Sequence, residues 1–205
     1  MILQQTRQAS PLGIPYFRPT DPDSHDFIDL KAEPHRLLEL PELRAEPELA
    51  KLMQMLNAAD SLCKSTGCER WYDERERPEG KTNYGSYFGF ALDAWPFQAV
   101  EASYSTIERF HEFSSARPVI ANAYARFDVR PTRWNREDRT GWSLEFWTWG
   151  FGSDRGAARA AWIAGIGRFL EFFVFENETW RAFLATHPTP TPSSDAERAD
   201  QGEVG

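Results

Sequence analysis

Apolar and polar residues alternate along two neighbouring stretches of this chain, 123–132 and 142–151. Alternation at period two puts successive side chains on opposite faces of a strand. These stretches therefore predict two strands, joined by a polar turn over 135–141. In the second, Trp142, Leu144, Phe146 and Thr148 share one face; Glu145, Trp147 and Trp149 share the other. Residues 83–92 show the same period, with Tyr84, Ser86, Phe88 and Phe90 together. Gly85 and Gly89 inside that run predict a bulge or a close backbone approach. Spacing of three and four instead marks helices. Leu49, Leu52, Met53, Leu56 and Ala59 make one apolar face, which predicts a helix over 47–63. Pro47 suits its first turn, and Glu46 and Glu48 sit at the positive end of its dipole. Val100, Tyr104, Ile107 and Phe110 recur at helical intervals after a start at 93–96. The same segment also alternates, so a strand stays open there. Ser153 begins a further helix carrying Ala157, Ala161, Ala164, Phe169 and Phe173. Ala160, Ala164, Gly165 and Gly167 would let it lie close to the sheet. Asn177 begins a last short helix over 178–185.

The ends read differently. Residues 1–45 hold Pro11, Pro15, Pro19, Pro22, Pro34 and Pro41, a density that opposes regular helix and central strand. They predict an extended arm with one short strand near Tyr16 and Phe17. Residues 187–205 lack apolar anchors and predict a disordered tail. Between them, 46–186 form the expected single α+β domain, an antiparallel sheet with about three flanking helices.

Composition sharpens this. Aromatic residues are 14% of the chain, and four of its 8 tryptophans (Trp134, Trp142, Trp147, Trp149) fall within 124–152, which locates the expected core. The net charge is −8, of which residues 1–112 carry −7. An acidic front half disfavours nucleic acid and anionic membrane as partners and favours a basic protein. No apolar run approaches the roughly 20 residues of a membrane span, and the start shows no signal peptide, so the expected location is cytoplasmic. Two cysteines, Cys63 and Cys68, are too few for a disulfide scaffold and lack the neighbours of a zinc site. His25, His35, His111 and His187 show no metal-ligand spacing. Asp21, Asp23, Asp26 and Asp29 lack the glycine and glutamate of a calcium loop. No phosphate loop and no G-x-S-x-G turn occurs. No cofactor is expected.

Three readings of a site follow. Residues 69–80 form a charged segment, expected to be a loop, with Trp71 and Tyr72 inside it. Glu69, Asp73, Glu74 and Glu76 would present negative charge to a basic partner, with Trp71 or Tyr72 as anchor; Arg75 and Arg77 dilute that charge. Alternatively, Glu145 among tryptophans, with Asp128 across the hairpin, would be the acid/base pair of a hydrolase. The competing explanation pairs Glu145 with Arg130 or Arg133. Lastly, Trp134, Trp147 and Trp149 would offer stacking faces to a carbohydrate.

A resemblance bears on the first reading. A helix ending in 57–60 (Asn-Ala-Ala-Asp), then Trp71 and Tyr72 in a charged segment, a Tyr/Phe/Gly strand, and an Arg-rich strand leading to Gly141 and Trp142 follow one another. This order resembles that of some bacterial polymorphic-toxin immunity proteins, over residues 47–150. The resemblance implies a cytoplasmic antitoxin that binds a toxin domain, often a nuclease, and blocks its active site.

Overall fold

The structure is a computed structural model that describes residues 2–7, 11–14, 27–73, 82–92, 99–135 and 139–187. Its elements are β1 (Ile2–Arg7), β2 (Leu12–Ile14), a 3-10 turn (Pro34–Glu39), α1 (Pro41–Ala45), α2 (Pro47–Leu56), β3 (Cys63–Asp73), β4 (Thr82–Leu92), α3 (Val100–Ser115), β5 (Ala123–Trp134), β6 (Arg139–Gly152) and α4 (Arg155–Thr186). The six strands form one sheet in the order β1-β5-β6-β4-β3, with β2 pairing β5 beyond the end of β1. This is an α+β fold, and its sheet is mostly antiparallel. The departure from the expected antiparallel sheet is at the N-terminus, where β1 and β2 both run parallel to β5. The proline-rich arm thus contributes two strands. β1 precedes the first proline, and β2 fits between Pro11 and Pro15, so neither strand has to contain a residue without an N–H. The short strand expected near Tyr16 and Phe17 falls outside the described residues, as does the tail from residue 188 onward.

The helices pack on one face of the sheet, and aromatic rings fill the space between. Phe169 of α4 is the hub. Its ring centroid lies 4.6 Å from Phe146, 4.8 Å from Phe88, 5.7 Å from Phe90 and 5.8 Å from Phe110. The alternation of β4 and β6 is as expected: Tyr84, Ser86, Phe88 and Phe90, with Leu144, Phe146 and Thr148, all point to this side and are buried. What lets α4 sit so low is on the sheet. A Cβ at Gly150 would overlap the Ala158 carbonyl oxygen and the Trp162 amide nitrogen. There Trp162 Nε1 donates to Ser86 Oγ at 2.9 Å. Of the small helical residues expected to allow the approach, Gly165 does so against Thr148, whereas Ala160 and Ala164 are exposed.

Several boundaries differ from the sequence reading. α2 stops at Leu56 rather than Cys63, because Asn57 turns the chain. Its amide side chain accepts from Ser65 N at 3.0 Å and donates to Met53 O at 2.8 Å, tying the helix end to β3. α3 is a helix, and it starts at Val100; residues 93–98 lie outside the described ones. Asp154, not Ser153, caps α4, accepting from Ala157 N at 2.9 Å. The two expected C-terminal helices are one of 32 residues. Asn177 lies inside it, accepting from Leu62 N at 3.2 Å, so its polar group serves a neighbouring segment rather than a helix start. The buried stripe runs Ala158, Trp162, Gly165, Ile166, Phe169, Phe172, Phe173, Glu176 and Trp180; Ala157 and Ala164 are exposed. Finally, residues 69–73 are not loop. They complete β3 and pair with β4 from Glu69 opposite Tyr87 to Asp73 opposite Asn83.

Glu46 fastens this side together. It is 4% exposed and stands just before α2. Tyr84 Oη donates to its Oε1, and Arg159 donates from Nε and Nη2 to its Oε2 at 3.0 and 2.8 Å. One carboxylate thereby joins α2, β4 and α4.

Candidate functional site on the distal face of the sheet

The face away from the helices is built by the other half of each alternation. Register places its side chains in rows across the strands. One row runs Trp71, Gly85, Trp149, Tyr124 over β3, β4, β6 and β5. The next runs Glu69, Tyr87, Trp147, Arg126, and the third runs Gly67, Gly89, Glu145, Asp128. Gly85 makes the first row possible: a Cβ there would stand 2.6 Å from the Trp71 indole, which lies across it.

The aromatic rings of the first two rows form one half-buried cluster. Trp147 and Trp149 stack at 6.1 Å with 15° between their planes, and Trp71 touches both, at 5.7 and 5.9 Å. Tyr87 stacks on Trp147 at 4.7 Å, and Tyr124 meets Trp149 at 5.1 Å. The guanidinium of Arg126 lies over this cluster, 4.8 Å from the Trp147 ring and 5.6 Å from the Trp149 ring. A cation held over indole faces is attracted by the ring quadrupole.

Beneath lie the carboxylates. Asp128 is fully buried and Glu145 is 4% exposed, and the two stand directly opposite each other on β5 and β6. Each has its own arginine. Arg126 Nη2 donates to Asp128 Oδ2 at 3.0 Å, and Arg130 Nη1 meets Glu145 Oε1 at 3.1 Å. The sequence reading placed Asp128 near Glu145, and offered Arg130 as the partner of Glu145; the fold brings about both. An acid/base pair for hydrolysis needs a carboxyl that substrate can reach. Both of these are buried and engaged with arginine, so their geometry serves to hold the cations.

Burial pushes the Glu145 carboxyl above the usual carboxylate range; the Arg130 charge opposes this and Asp128 adds to it. A folded-state pKa above the unfolded one means that the native state keeps its proton longer. Stability from this group is then full below about pH 4.5 and is lost as pH rises through the folded value. Glu145→Gln should therefore gain on the wild type as pH rises from about 4.5 to 7.5, measured by urea unfolding. A gap that moves the other way would show that Arg130 outweighs burial.

The residues expected to form an acidic loop are dispersed. Glu69, Trp71 and Asp73 are on this face of β3. Tyr72 points to the helix side, where it meets Tyr84 at 5.9 Å. Glu74 and Glu76 lie outside the described residues. Trp134 is separate from the other two tryptophans proposed as stacking faces. It packs with Ile14 and Ala91 in a small apolar cluster at the far end of the sheet, under Arg139. Tyr87, Tyr124 and Arg126 were missed. The signal was the alternation Arg126-Phe127-Asp128-Val129-Arg130, which sends three charges to one face. Among the described residues no group of three metal-ligating side chains gathers, and no helix is long and apolar enough to cross a membrane. Cys63 is buried and Cys68 half-buried.

Comparison with protein-family models, curated proteins and solved structures finds no match to this chain.

Proposed function

We propose that this protein binds another protein through the distal face of its sheet, and that it is an inhibitor of the immunity-protein kind that neutralises a toxin domain by covering it. The observation that carries this reading is the cluster of Trp71, Tyr87, Trp147, Trp149 and Tyr124 around Arg126. Binding energy at protein interfaces concentrates in tryptophan, tyrosine and arginine. Here strands fix these side chains in rows, so little rotamer freedom is left to lose on binding. The buried Asp128 holds Arg126 where it can serve such a contact. The net charge of −8 adds a long-range attraction for a basic partner, felt in the association rate.

Co-expression tests this. The protein encoded beside this one should arrest bacterial growth when expressed alone, and the wild type should restore it. A Trp71→Ala, Trp147→Ala double variant, folded by circular dichroism, should fail to restore growth. Two anchors at about 2 kcal/mol each correspond to an affinity loss on the order of a thousandfold. A harmless neighbour, or rescue undiminished in the double variant, overturns the reading.

A further inference from the structure

Among the described residues β3 ends the sheet, paired with β4. The outer side of its first part is closed by side chains from elsewhere in the chain. Lys31 Nζ donates to the Ser61 and Cys63 carbonyls at 2.8 and 3.0 Å. Asn177 Oδ1 accepts from Leu62 N at 3.2 Å, and Asn57 Oδ1 accepts from Ser65 N at 3.0 Å. At Thr66 the register shifts, and this closure stops. Among the described residues no group from outside the β3–β4 ladder hydrogen-bonds the backbone of 67–72. Peptide groups left open along a strand edge are a template for another strand. Among the described residues, one half of this edge is thus covered and the other half is open.

The bare half has a polarity. Arg70 is engaged on the helix side, 3.4 Å from Tyr84 Oη and 3.9 Å from Glu46 Oε1. Glu69 is exposed on the distal side, with no ion pair among the described residues. Next to it Trp71 leads into the aromatic cluster.

We propose that residues 67–72 of β3 take up an extended strand of the partner protein, and that this strand sets a lysine or arginine against Glu69. This rests on the reading of the protein as a partner-binding inhibitor and says how the partner enters. Strand addition gains affinity from main-chain hydrogen bonds and specificity from alternate side chains. A basic residue on the distal side meets Glu69, and a neighbour two positions along runs onto the ring of Trp71. A second copy fits less well. Antiparallel self-pairing centred on Glu69 sets Glu69 against itself, centred on Trp71 it sets Glu69 against Asp73, and centred on Arg70 it sets two arginines together.

The test uses the full chain and a displayed library of random dodecapeptides. Peptides selected on the wild type should carry a recurrent lysine or arginine and bind Glu69→Lys at least about tenfold more weakly. On adding the selected peptide, amide exchange should slow within 67–72 and stay unchanged in β5. No enriched peptide, protection elsewhere, or equal binding to Glu69→Lys overturns the proposal. So does dimerisation of the chain alone with the same amides protected, which would assign the edge to a second copy. Growth rescue that persists in Glu69→Lys but fails in the tryptophan double variant removes the edge and leaves the distal-face reading standing.

Discussion

Phe169→Ala should destabilise the protein by about 3–5 kcal/mol, the range for losing a fully buried aromatic ring. The side chain is 0% exposed and sits where α3, α4, β4, β5 and β6 meet. Its neighbours include Phe88, Phe90, Phe110, Phe127, Phe146, Phe172 and Phe173. Rings held from five elements cannot all move into the space left by one, so the cavity stays open and adds to the lost transfer energy. A domain of this kind has roughly 5–15 kcal/mol of total stability, so the variant would lose a large part of it. Urea unfolding followed by tryptophan fluorescence reads the change. A cost below about 1 kcal/mol would mean that the layer between α4 and the sheet is not close-packed.

The second large effect concerns a buried charge. Glu176 lies inside α4 at 0% exposure, and Arg109 of α3 donates to its Oε1 from Nε at 2.7 Å and from Nη2. Burial pushes the Glu176 carboxyl above the usual carboxylate range, while the hydrogen bond and charge of Arg109 oppose it. Arg109→Met removes that opposition and raises the carboxyl further. The cost should be about 3 kcal/mol near pH 7.5, the low end for breaking a buried pair, because Arg109 keeps some contact with solvent. The sign of the pH effect follows. An acid whose folded pKa is raised stabilises fully below the ordinary carboxylate value of 4.5 and loses that contribution as pH rises through the folded value. The gap between Arg109→Met and the wild type should therefore narrow toward pH 4.5 and widen above it. Adding Glu176→Gln to Arg109→Met should flatten this pH dependence. A gap independent of pH would show that Glu176 does not carry the charge assumed.

The sequence announced the parts of this fold that rest on short-range periodicity. The alternation of Tyr84, Ser86, Phe88 and Phe90 against Leu144, Phe146 and Thr148 gave the correct buried face, because a two-residue period leaves one choice once the apolar set is known. The misreadings came where a distant segment decides. Charge made 69–73 look like loop, yet β3 accommodates Glu69, exposed on the distal face, and Arg70, which reaches Tyr84 and Glu46 on the other. Nothing local says that Asn57, inside the expected helix, will end it and be claimed by Ser65, or that Asn177, which looks like a cap in the string, will be used for long-range closure at Leu62. The same limit hid the site. Trp147 and Trp149 were legible as one face of a strand, but Trp71, Tyr87 and Tyr124 join them only through the register of four strands.

The parallel pairing of β1 sets a clock on synthesis. Ile2 lies opposite Tyr124 and Arg7 opposite Val129, a constant separation of 122 residues. β1 therefore cannot make this pairing until β5 has been made, on the order of ten seconds later at usual elongation rates. β3 and β4 can pair long before that, since only residues 74–81 separate them. During synthesis the β3–β4 hairpin is thus complete while β1 still waits for the strand it pairs with.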